Sequence, residues 1–172
     1  MKRLKKNFKV NFTAQQPPFF QVSEKRKMTV SFDVFRYSPS LLKNVISHLF
    51  KGNSQIDATF LYAHIPNGQT KSRRFAKGSL RRSFTILNWN EYSKITEEFR
   101  DTLLYVTIED VKMDEVVHYA NSLLRKKKNL YIAFYNDSYY LQIDHDELVI
   151  IAISNELAGS LKTSFKSFSA ME

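Results

Sequence analysis

The chain has 172 residues, 43% hydrophobic and 14% aromatic, with 26 Lys and Arg against 17 Asp and Glu for a formal net charge of +9. That length suffices for one domain with a sizeable core, and the 14 Phe and 9 Tyr argue against global disorder. The absence of cysteine excludes a disulfide framework, a thiolate nucleophile, dithiol redox chemistry and any sulfur-ligated zinc site.

Residues 1–24 show neither helical nor strand periodicity, and Pro17 and Pro18 stiffen the approach to the first regular element. They are expected as a basic N-terminal arm, with residues 25–172 forming a single domain. Met1–Lys9 is basic like the start of a secretory signal, but Asn7, Lys9, Asn11, Gln15 and Gln16 interrupt any apolar stretch. The longest strongly apolar run, Leu148–Ile153, is far below the ~20 residues that span a bilayer. A cytoplasmic protein without membrane association is the expectation.

Alternation of Met28, Val30, Phe32 and Val34 with polar neighbours predicts a strand over 28–36. Ser38 and Pro39 then announce a helix as N-cap and first-turn proline. Its apolar face is Leu41, Leu42, Val45, Ile46, Leu49 and Phe50, and Gly52 ends it. Ile56–Ile65 reads as a strand, and Ser83–Leu87 as a short one. Asn90 is placed to cap a helix over Glu91–Asp101, with Tyr92, Ile95 and Phe99 at helical spacing, before strand chemistry resumes over Leu103–Ile108.

A further helix is predicted over Asp114–Lys127, with Val116, Val117, Ala120, Leu123 and Leu124 inward. Its first turn is acidic and its last basic, which suits the helix dipole. Leu130–Tyr135, Tyr139–Asp144 and Leu148–Ile153 form an antiparallel meander, and Leu157, Leu161, Phe165 and Phe168 share one face of a closing helix. Strand, helix, strand occurs twice, over 28–65 and 103–135, which predicts parallel neighbours. The fold class is therefore α+β: a mixed sheet of five or six strands with packed helices.

The charge is clustered. Residues 1–27 carry eight basic residues and one acid, residues 71–82 six basic and no acid, and Arg125–Lys128 are four in a row. These segments total +17, so the remainder of the chain carries −8. No carboxylate occurs between Ala58 and Asn90. Basic residues interleave with rings in the arm (Lys5, Lys6, Phe8, Lys9, Phe12) and in the loop (Lys71, Arg73, Arg74, Phe75, Lys77, Arg81, Arg82, Phe84). Cations of this kind pair with phosphates while rings stack on bases. The Arg125–Lys128 run has a sufficient explanation as a helix C-terminus.

Chemistry beyond binding has little support. The glycines at 52, 68, 78 and 159 make no phosphate loop, and His48, His64, His118 and His145 show no metal-ligand spacing. No cofactor and no metal are expected. Asp144, Asp146 and Glu147 read as a polar hairpin turn. His64, beside the basic loop, is placed to move protons near a phosphodiester but lacks a second acid or base. The leading expectation is a non-enzymatic nucleic-acid-binding protein using Lys5, Lys6, Lys9, Lys71, Arg73, Arg74, Phe75, Lys77, Arg81 and Arg82. The alternatives are an inhibitor or immunity-type factor docking an acidic protein, and a metal-independent nuclease using His64.

Overall fold

The computed structural model describes residues 1–52, 55–74, 80, 83–125, 131–143 and 146–165, and for Arg73 and Arg74 the backbone alone. Among these residues the chain forms strands β1 (Lys27–Ser31), β2 (Ile56–Ile65), β3 (Arg73–Arg74), β4 (Asn90–Ile95), β5 (Thr102–Val111), β6 (Ile132–Tyr135), β7 (Tyr139–Ile143) and β8 (Glu147–Ala152). The α-helices are α1 (Asp33–Tyr37), α2 (Pro39–Leu49), α3 (Met113–Leu124) and α4 (Asn155–Ser164), and short π or 3-10 turns cover Leu4–Phe8, Pro18–Gln21 and Glu24–Arg26. The class is α+β, as expected. No helix among the described residues is long and apolar enough to cross a membrane.

Seven strands follow the order β1-β8-β7-β6-β2-β5-β4, and β3 continues beside β2 at Ala63 and His64. Every described pairing is antiparallel, so the expected mixed sheet with five or six strands is corrected. The expected parallel neighbours do not occur. β5 and β6 do run in the same direction, but β2 lies between them and is antiparallel to both. A crossover helix sets strand direction; which strand fills the gap is decided elsewhere in the chain.

Three other expectations change. The strand expected over 28–36 stops at Ser31, and α1 follows. Phe32 and Phe35 are both fully buried with ring centroids 5.8 Å apart. A continuing strand would send these two residues to opposite faces, whereas a helical turn delivers both to one core. The helix expected over 91–101 is replaced by β4 and a turn, because β5 presents an open edge that β4 pairs from Thr102 to Thr107. Its apolar residues are left outside, with Ile95 61% and Phe99 65% exposed. Ser83–Leu87 forms no strand; Phe84 instead packs against Tyr119 and Phe134.

α2, α3 and the meander form where the periodicity places them. Pro39 opens α2, while the Ser38 side chain makes no cap bond. Glu115 closes the start of α3 by accepting the Lys112 N–H at 2.9 Å, and its other oxygen accepts the Thr85 N–H at 2.7 Å. Ser154 caps α4 through the Leu157 N–H. The turn between β6 and β7 is held by Asn136, whose side-chain oxygen accepts from Ser138 and Tyr139. Phe168 and residues 126–128 lie outside the described residues.

All four α-helices contribute to the core on one face of the sheet. The other face has its own smaller core, in which Leu4, Phe8 and Val10 pack on Ala133, Tyr135, Tyr140, Val149 and Ile151. The first 24 residues, expected as an arm, are thus laid along the sheet. Leu4 and Phe8 share a face by their spacing of four and are joined there by Val10. Each such side chain contributes about 1.5–3 kcal/mol on leaving water.

Candidate nucleic-acid interface

Sinking Leu4, Phe8 and Val10 into the sheet leaves Lys2, Lys5, Lys6 and Lys9 exposed on the outer side of the same segment. The chain turns at Lys9 with φ +61°, the left-handed conformation that closes the Leu4–Phe8 turn. None of these four lysines makes an ion pair with a described residue. Three other cations of the first 27 residues are spent internally. Arg3 pairs with Asp57 and Asp137, each at 3.3 Å, and donates to Gln55. Arg26 donates to the Ala152 carbonyl at 2.9 Å. Lys27 is buried, 2.6 Å from Glu24 and 3.7 Å from the Phe19 ring centroid.

The sequence count of eight cations therefore divides into clasps and display. Arg3, Arg26 and Lys27 fasten the segment; Lys2, Lys5, Lys6, Lys9 and Lys25 face solvent. The rings are not displayed with them. Phe8 and Phe84 are buried, and Phe12 packs edge-on against Tyr105 with centroids 6.0 Å apart. Those aromatics build the two cores, so base stacking by Phe8 or Phe84 is corrected to core packing.

The second basic segment stands elsewhere. Lys71 is exposed, and Arg73 and Arg74 pair as backbone with His64 and Ala63 at the far end of β2 from Asp57. Phe75, Lys77, Arg81 and Arg82 lie outside the described residues. Leu80 and Phe84 enter the core on the helix side, where Phe84 packs against Tyr119 of α3. His64 lies 2.6 Å from the Asp101 carboxylate, whose other oxygen accepts the Asn67 N–H at 2.8 Å. This carboxylate, unseen in sequence because it stands 37 positions from His64, ties the end of β2 to the start of β5. The pair holds the turn that leads into the basic loop.

Beside the arm, an open cleft of about 570 Å³ runs between Arg3 and the foot of β2, β5 and β4, with Asp57, Tyr92, Thr107 and Glu109 in its wall. Beneath it Thr59 bonds the hydroxyls of Thr107 at 2.9 Å and Tyr135 at 3.0 Å. Burial pushes Tyr135 up to about 12 despite the Thr59 hydrogen bond. Asp57 is the unusual member: its side chain is 9% exposed, Oδ2 meets Arg3, and Oδ1 has no hydrogen-bond partner among the described residues. Burial raises its carboxyl to about 6; Glu109 and Asp110 reinforce the rise, while Arg3 and the Met1 amino group oppose it. Sequence alone offers no signal for this site, since Asp57 occupies a strand position whose depth only the arm creates.

A raised carboxyl gives a definite sign to the pH dependence of stability. The folded state holds the Asp57 proton between about pH 4 and pH 6 and the unfolded chain does not, so this contribution is complete below pH 4 and lost as pH rises through 6. Asp57→Asn, which resembles the protonated acid, should gain on the wild type by about 2 kcal/mol between pH 4 and pH 7.5. Urea unfolding of both proteins across that range checks this; a gap independent of pH would refute it.

Comparison with known proteins gives no match: no family model, no curated protein and no solved structure matches this chain.

Proposed function

We propose that the protein binds nucleic acid through the outer side of its N-terminal segment, with the basic loop beginning at Lys71 as a second contact. The observation that supports this reading is the division of labour in the first ten residues. Apolar side chains anchor the segment, Arg3 clasps it, and Lys2, Lys5, Lys6 and Lys9 are left facing solvent. Unpaired cations on a backbone anchored to the sheet suit a phosphate backbone, because the segment that carries them need not be ordered on binding.

The test is a titration of fluorescent single-stranded RNA and duplex DNA at two salt concentrations. Four lysine–phosphate contacts release enough counterions that affinity should fall roughly 50-fold or more between about 50 and 200 mM salt. No binding of either polymer at low salt would sink the proposal and leave an acidic protein surface as the partner class.

A further inference from the structure

We infer that the open edge of β4 pairs with the same edge of a second copy of this chain, about a two-fold axis at Ser93. β4 is the last strand of the sheet; it pairs with β5, and no described strand occupies its other edge. Its residues follow β5 pair by pair from Asn90 to Ile95 without a bulge, and all of them but Lys94 are exposed. A regular free edge presents a row of N–H and C=O groups that a further strand can take up.

Charged side chains are the usual guard on such an edge. Here both charged residues of the strand are drawn back onto their own chain: Lys94 donates to the Thr13 carbonyl at 2.6 Å, and Glu91 accepts the Trp89 indole N–H at 2.6 Å. Apolar side chains are displayed instead. Eight large apolar side chains are exposed among the described residues, and four of them, Leu87, Tyr92, Ile95 and Phe99, fall within positions 87–99, so the exposure is concentrated at this edge. The strand at the opposite edge, β1, keeps Met28 and Val30 buried.

Charge and symmetry name the partner. In a chain of net charge +9, residues 87–95 hold one Glu and one Lys and sum to zero, so two copies can approach here without the repulsion of their basic surfaces. Leu87 precedes the strand, while Ile95 ends it and Phe99 lies in the turn beyond. Antiparallel pairing about Ser93 therefore brings Leu87 of each copy toward Phe99 of the other and sets Tyr92 opposite Lys94, apolar end against apolar end. Such an axis stands perpendicular to the sheet, so both copies turn the same face to the same side. The exposed lysines of the two N-terminal segments then share one side of a continuous sheet. That consequence extends the nucleic-acid surface proposed above; the pairing itself does not depend on it.

Sedimentation velocity over a range of micromolar concentrations tests the assignment. The wild type should pass from its 20.2 kDa monomer to twice that mass, and more readily as salt screens the net charge, the opposite sense to polyanion binding. Leu87→Lys combined with Ile95→Lys puts like charges on the meeting ends and should weaken the dimer at least about tenfold; both positions are exposed, so the fold should persist. The cysteine-free chain allows a second readout. Ser93→Cys should oxidise to a disulfide-linked dimer, because residues paired at the axis stand about 5 Å apart at Cα, whereas Thr29→Cys on β1 should not. Ser93 is exposed, so this arm stands whatever the paired lysines do to folding. A wild type that stays monomeric throughout overturns the proposal. A dimer that ignores the two lysines, or that Ser93→Cys fails to link, overturns it as well.

Discussion

Phe8→Ala is expected to cost about 3–5 kcal/mol, the range for emptying a buried aromatic site. Phe8 has no exposed surface and packs against Tyr140, with ring centroids 6.4 Å apart. Its loss removes the largest anchor that the N-terminal segment contributes to the second core, where Leu4 and Val10 are the smaller ones. Since a domain is held by only about 5–15 kcal/mol in all, the effect is a large share of the total. Urea unfolding gives the stability, and amide exchange over residues 1–12 reports whether the segment lifts from the sheet. The lysines keep their charge in this variant, so it separates position from charge: affinity for a polyanion should fall while the dependence on salt persists. A loss below about 1 kcal/mol with unchanged exchange protection would show that the segment is not part of the folded core.

Reversing the displayed charge should have the largest effect on binding. Lys2, Lys5, Lys6 and Lys9 changed together to Glu remove two charges each and take the formal net charge from +9 to +1. If the four lysines meet phosphates, the slope of log affinity against log salt should fall by about three to four, and affinity at low salt by about a hundredfold or more. Stability should change by less than about 1 kcal/mol, because none of the four is buried or ion-paired among the described residues. An equal reversal of the structural cations Arg3 and Lys27 would instead damage the fold, since both are held in internal pairs. Wild-type affinity in the quadruple variant would move the interface away from this segment.

Parts of the site were legible because charge counts survive folding. The clusters at 1–27 and 71–82 are visible from composition, and the second is visible as a carboxylate-free stretch. Which cations are free was not legible. Arg3 and Lys5 look alike in sequence, yet Arg3 meets carboxylates from β2 and from the turn after β6 while Lys5 meets none. Phe8 and Phe84 stand beside lysines and arginines in the chain but lie in different cores in space. The Asp57 cleft needed three separate segments to exist at all.

The amino-acid sequence by itself determined the α+β class, α2 and α3, β2, the closing meander with its Asn136 turn, and the location of the positive charge along the chain. These rest on local periodicity, capping and turn chemistry, which act over a few residues. Tertiary structure decided the rest. It made residues 90–95 an edge strand, placed β2 between β5 and β6, ended the first strand at Phe32, and drew the N-terminal segment onto the second face. The common reason is that an open strand edge or an uncovered apolar face is satisfied by whatever segment can reach it, and that partner is set by the assembled sheet and not by its own periodicity.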